Sequence, residues 1–154
     1  MTAAPGQPSG PGRPVRRAGI ADLDARTLHD LIALRVAVFV VEQNCPYEEL
    51  DGRDTEPATE HLWTADEHGP TAYLRVLSEP DGVLRIGRVC TRADARGQGL
   101  AGRLLTDVLD RSPGRVLVLG AQAHLADWYA RYGFRPDGPG YDEDGIPHVP
   151  MRRP

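Results

Sequence analysis

The spacing of apolar and polar positions changes along the chain, and the changes mark its elements. From about Ala25, the residues Leu28, Leu31, Ile32, Arg35, Val36 and Phe39 recur at the spacing of one helix face. Thr27 and Asp30 have the spacing of a capping box, which moves the expected start of that helix a residue or two later. His61 to Ala65 and Pro70 to Leu77 predict two strands joined by the turn Asp66-Glu67-His68-Gly69; in the second, Ala72, Leu74 and Val76 alternate against Tyr73 and Arg75. Pro80-Asp81-Gly82 predicts another turn, leading into a strand over Val83 to Thr91. Leu100, Ala101, Leu104, Leu105, Val108 and Leu109 then follow helical spacing, with Arg103, Thr106, Asp107 and Asp110 on the opposite face. Arg115 to Leu119 reads as a strand and His124 to Tyr132 as a helix capped by Gly133. Pro136 to Asp144 reads as a turn-rich link. Ile146 to Met151 is a last strand, which Pro147 and Pro150 place at an edge or make irregular.

A short strand near Val15 begins this series. Before it, Met1 to Pro14 is rich in Pro, Gly and Ala with no periodicity, the composition of a disordered leader. Residues 15–154 therefore form one domain. Its order is strand, helices, three antiparallel strands, helix, strand, helix, strand: a mixed α/β single sheet flanked by helices.

Composition narrows the classes of partner. Hydrophobic residues at 40% and charged residues at 26% are ordinary for a globular protein. A net charge of -4 gives no support to a nucleic-acid partner. No apolar run reaches the length of a membrane span, and the N-terminus lacks the apolar core of a secretory signal, so a cytoplasmic location is expected. Cys45 and Cys90 form no metal motif; free thiols are the expectation, with a single disulfide left open. No metal is called for.

The chemistry centres on Arg96-Gly97-Gln98-Gly99-Leu100-Ala101-Gly102, where a strand hands over to a helix. The first N–H groups of a helix have no internal partner and carry the positive end of its dipole. Glycines there let a phosphate approach closely, so the stretch reads as a pyrophosphate cradle. Gly97 to Gly102 is literally G-x-G-x-x-G, the dinucleotide fingerprint. Two facts oppose a dinucleotide: Arg92 to Arg96 intervene between strand and glycine, and no carboxylate follows Leu119 to hold a ribose. A P-loop also fails, because the chain has no lysine.

Arg96, Gly99 and Ala101 instead resemble the acyl-CoA signature of the GNAT superfamily of N-acyltransferases. Trp128-Tyr129-Ala130-Arg131-Tyr132-Gly133-Phe134 resembles that superfamily's aromatic helix end at the expected distance downstream. Further pieces resemble the ElaA-like branch. Its resemblance runs from Leu34 to about Arg152 and includes Val38 to Tyr47, Thr59 to Leu62, Gln122-Ala123-His124 and Glu143 to His148. The resemblance implies a GNAT fold, in which two adjacent parallel central strands splay apart around the acyl-pantetheine arm. It implies acetyl-CoA as co-substrate and a small-molecule or peptide amine as acceptor. An alternative is a non-catalytic acyl-CoA sensor or regulatory module on the same fold.

The resemblance also assigns roles. Val89, Cys90 and Thr91 map to the strand that offers oxyanion donors. Arg96 to Gly102 hold the pyrophosphate, and Gln122 occupies a position near the pantetheine. Tyr129 aligns with the tyrosine that protonates the leaving thiolate; a phenol of pKa about 10 is protonated at neutral pH and can donate. The acceptor must lose a proton, which for a lysine-like amine of pKa about 10.4 costs roughly 4–5 kcal/mol at pH 7. Glu42 is the leading candidate for the base, with His61 and His148 behind it. Cys90 reads as a small buried residue, although a covalent acyl-cysteine is conceivable. Tyr132 reads as packing. The carboxylates from Glu48 to Asp54 lie in a long connection that is either functional or simply solvated. Asp142, Glu143 and Asp144 read as an exposed acidic turn.

Overall fold

The computed structural model describes residues 14–154, so the leader expected over Met1 to Pro14 lies outside the described residues except for Pro14. The elements are β1 (Arg16–Ala18), α1 (Ala25–Val36), β2 (Glu60–Asp66), β3 (Gly69–Ser78), β4 (Leu84–Thr91), α2 (Leu100–Arg111), β5 (Leu117–Gln122), α3 (Ala126–Ala130), β6 (Arg135–Pro136), β7 (Tyr141–Glu143) and β8 (Ile146–Arg153). They build one 8-stranded sheet in the order β1-β2-β3-β4-β5-β8-β6, with β7 also paired to β8. Among the described residues no helix is long and apolar enough to cross a membrane.

Strand alternation divides the core between the two faces of the sheet. On one face Leu62, Leu74, Val76 and Ile86 meet Leu100, Leu104, Leu105 and Val108 of α2, together with Tyr129 and Phe134. Each such leucine, fully buried, stabilises the fold by about 1.5–3 kcal/mol. On the other face Trp63, Tyr73 and Cys90 meet Leu31, Leu34 and Val38.

Four departures from the expected elements have physical causes. Helix α1 starts at Ala25 because Asp24, not Thr27, is its N-cap: the Asp24 carboxylate accepts from the Thr27 N–H at 2.7 Å. At its other end the helix widens into a π turn over Ala37–Glu42, closed by i+5 bonds from Gln43 N to Val38 O (3.2 Å) and Cys45 N to Val40 O (3.1 Å). Strand β8 is not an edge, because β5 flanks it on one side and β6 and β7 on the other. Its prolines fall where a ladder donor is not needed. The Pro150 carbonyl accepts from Asp137 in the gap between β6 and β7, and Pro147 lies past the last β5 pair, Gln122 with His148. The link expected from Pro136 to Asp144 contains β7, turned into β8 by Asp144 and Gly145, which have φ of 52° and 82°.

Strands β4 and β5 run parallel but pair only at Leu84 with Leu117 and Arg85 with Val118. From Ile86 onward the β5-facing edge of β4 has no strand partner among the described residues. On its other edge β4 carries a bulge: Tyr73 pairs with Cys90 and Arg75 with Gly87, so Leu74 faces both Arg88 and Val89. Arg88 adopts φ of 54°, a left-handed conformation uncommon for a residue with a side chain.

Candidate functional site

The parting of β4 and β5 opens a cleft of about 730 Å³. The cradle Arg96 to Gly102 lies at its rim, the π turn and the loop through Cys45 and Tyr47 form one wall, and Trp128, Tyr129 and the β7–β8 hairpin form the other. Val89, Cys90, Thr91 and Gln122 all line it, so one cavity gathers every residue singled out for cofactor binding.

The cradle has two left-handed residues, Gly97 (φ 80°) and Gly99 (φ 71°), and a Cβ built on either meets nothing within 4 Å. Gly99 caps α2 with no side-chain bond, leaving the N–H groups of the first turn without an internal partner. Open space before unpaired N–H groups at a positive helix end suits a phosphate. Leu100 anchors the turn from below, only 2% exposed. Gly102 serves packing: a Cβ there would run into the Tyr132 hydroxyl. That contact explains why the third glycine of the fingerprint pattern is present without a dinucleotide.

Tyr129, on α3, is 6% exposed and set edge-on against Trp128 and Phe134, with ring centroids 4.8 Å and 6.1 Å away. Its hydroxyl has no hydrogen-bond partner among the described residues, although it lines the cleft. Burial pushes its phenol above the usual range, so it stays protonated.

Residues 27–153 match the Acetyltransferase (GNAT) domain family. The chain belongs to that family. It is 51% identical over 144 residues to a UPF0039 protein of Mycobacterium tuberculosis, covering 91% of this chain and 92% of the relative. It is 40% identical over 141 residues to Protein ElaA of Escherichia coli, covering 86% and 91%. An acyl-CoA N-acyltransferase of Pseudomonas aeruginosa superposes with a TM-score of 0.86 at 42% identity, over 92% of this chain and 99% of that one. The mixed sheet with its parted parallel strands is thus the GNAT fold, in its ElaA-like form.

The remaining candidates of this GNAT chain separate by their partners. Glu42, at the end of the π turn, is paired with Arg96 at 2.6 Å, and Arg96 also donates to the Thr91 carbonyl at 3.2 Å. The Arg96 guanidinium holds the Glu42 carboxyl below its ordinary range, which makes Glu42 a weaker base than a free carboxylate. Gln122 of β5 donates to Gln43, the residue after the π turn, at 3.3 Å, so β5 and the cradle are each tied to that segment. His61 is 1% exposed and uses both nitrogens, on Tyr73 Oη (2.6 Å) and the Asp54 carbonyl (3.1 Å), which leaves it no lone pair for a substrate. Cys90 is a free, buried thiol, and burial pushes it up to about 12; it is not a poised nucleophile.

In the connection from Tyr47 to Asp54, Glu48 and Asp51 are exposed but Glu49 and Asp54 are buried. Arg35, 1% exposed, donates to Glu49 (2.6 Å) and to both oxygens of Asp54 (2.9 and 3.0 Å). Arg75 adds bonds to Asp51 and Asp54, and Tyr47 donates to Glu49. Arg88 reaches the Glu49 carbonyl at 3.1 Å, and its Nε lies 3.0 Å from Glu49 Oε2 as an ion pair off the line of a hydrogen bond. The network therefore grips the left-handed residue of the β4 bulge. Composition gave no hint of this, because buried and solvated carboxylates read alike in a sequence. Asp142, Glu143 and Asp144 are exposed, as expected of an acidic turn.

Proposed function

We propose that the chain transfers the acetyl group of acetyl-CoA directly to an amine of a small molecule or peptide. The observation that carries this reading is the parting of β4 from β5 after two residue pairs, with a glycine cradle at the rim of the gap. Peptide groups left without a ladder partner need other partners, and an amide-bearing pantetheine arm is of the right chemistry. Acetyl-CoA supplies the activated acetyl thioester. The N–H groups from Gly97 to Gly102 hold its pyrophosphate, and Gln122 borders the arm. Backbone donors from Val89 to Thr91, presented by the bulge, stabilise the oxyanion that develops on the carbonyl. The Tyr129 hydroxyl, protonated and without a hydrogen-bond partner among the described residues, donates to the leaving sulfur.

The same strap of π turn and cradle would serve a sensor that binds acyl-CoA without turnover, and one experiment separates the two. Purified protein is mixed with acetyl-CoA and a panel of polyamines, amino acids and peptides, and thiol release is followed above the uncatalysed rate. Turnover with any amine supports the transferase. CoA binding by calorimetry, with no thiol release across the panel, would make the chain a sensor.

A further inference from the structure

The transferase reading leaves the acceptor's proton without an assigned destination, and the β7–β8 hairpin supplies one. His148 lies on β8 in register with Gln122 of β5 and lines the cleft, 9% exposed. Its Nδ1 is 2.7 Å from the Ile146 carbonyl, an acceptor only, so Nδ1 carries the hydrogen and the lone pair of the neutral ring resides on Nε2. Nε2 lies 3.5 Å from Glu143 Oε2, and Glu143 also lines the cleft. Tyr141 stacks on the imidazole at 5.5 Å with 22° between the rings, fixing the ring plane. The Ile146 carbonyl thus orients the ring from Nδ1, as the group behind a base does, and Glu143 offers a carboxylate beside the nitrogen that would take the proton.

The alternatives are committed or unheld. Glu42 is paired with Arg96, and both nitrogens of His61 are occupied inside the core. His124 lines the cleft but is exposed and makes no hydrogen bond among the described residues that would orient its ring.

We propose that His148 is the general base of the reaction, with Glu143 as the positioning residue that stabilises its protonated form. This rests on the transferase reading above. The protonated amine gives one proton to His148 Nε2, and the imidazolium pairs with Glu143. The freed lone pair attacks the thioester carbonyl and forms the carbon–nitrogen bond. As the carbon–sulfur bond breaks, Tyr129 gives its proton to sulfur and recovers one from the nitrogen. His148 then returns its proton to solvent, so one amine cation and one thioester yield one amide, one thiol and one released proton.

The test contrasts two nucleophiles at neutral pH: ethylamine, which is protonated and needs a base, and hydroxylamine, which is already neutral. Thiol release from acetyl-CoA is measured for wild type, His148→Ala and Glu143→Gln. His148→Ala is expected to lose about 10²-fold or more with ethylamine and less than about 10-fold with hydroxylamine. Glu143→Gln, at an exposed side chain, is expected to lose several-fold with ethylamine only. Equal losses with both nucleophiles, or no loss with either, would overturn the assignment. If His148→Ala does not fold, Glu143→Gln decides by the same contrast. Absence of thiol release by wild type with both nucleophiles and with every amine of the panel above would instead remove the transferase reading, and this inference with it.

Discussion

Tyr129 combines a buried ring with a place on the cleft lining and a hydroxyl that bonds no protein group among the described residues. Replacing it by Phe keeps the ring contacts with Trp128 and Phe134 and removes only the oxygen. Loss of a general acid typically costs about 10²–10⁴-fold. Tyr129→Phe should therefore lower kcat by about that factor while CoA affinity and Tm stay nearly level, since the hydroxyl acts in the transition state. Full kcat in the variant, with chemistry limiting the rate, would reduce Tyr129 to packing. Gly99 is tested by a residue that tolerates its φ of 71°. Asn accepts left-handed backbone, so Gly99→Asn should fold and place a side chain in the open space where the pyrophosphate is proposed to lie. Calorimetry should show CoA bound about 10-fold or more weakly, a difference of about 1.4 kcal/mol. Unchanged affinity would put the cradle elsewhere.

At the scale of elements, what could be read in advance was what repeats or what chemistry restricts locally. Strands β2 and β3, helix α2 and the glycine turn all followed from period and turn residues, because their apolar faces meet a core directly. Motif spacing also singled out Tyr129 and the glycine turn, which line one cleft. The β4 bulge was not: Ile86-Gly87-Arg88-Val89 reads as continuous strand, and the left-handed Arg88 is imposed by tertiary contacts with Glu49 and Asp51. Nor was the π turn, whose extra residue per turn leaves no mark in a short apolar run, Val38 to Val41. The β7–β8 hairpin did carry a signal, since Asp144-Gly145 suits a two-residue turn with positive φ. The prolines around it obscured the strands. The buried network under the bulge predicts a large stability effect. Arg35→Ala leaves Glu49 and Asp54 as buried carboxylates with a main partner removed, so urea unfolding should show a loss of about 3–5 kcal/mol. A loss below about 1 kcal/mol would mean that the pairs are solvated, as exposed pairs are.

For the whole molecule, the same ion pairs set the response to acid. Burial pushes the Asp54 carboxyl up, but Arg35 and Arg75 outweigh it and hold it below the ordinary range; Arg75 likewise holds Asp51 down. A native value below the unfolded value of about 3.9 means that the unfolded chain takes up protons first as pH falls. That stability is therefore complete above the unfolded value and is lost as pH drops from about 5 toward about 2. Urea midpoints that stay level through this window would contradict the network. The central claim, direct acetyl transfer in the β4–β5 cleft, is tested most directly by a single turnover. Protein in excess is mixed with acetyl-labelled acetyl-CoA, first alone and then with the fastest amine of the panel, and each sample is quenched and separated. Label is expected to stay on CoA until the amine is added. It then passes to the amine as an amide, with one thiol released per amide and none of the label on precipitated protein. Label lodged on the protein before the amine is added, or label that never leaves bound acetyl-CoA, would contradict direct transfer.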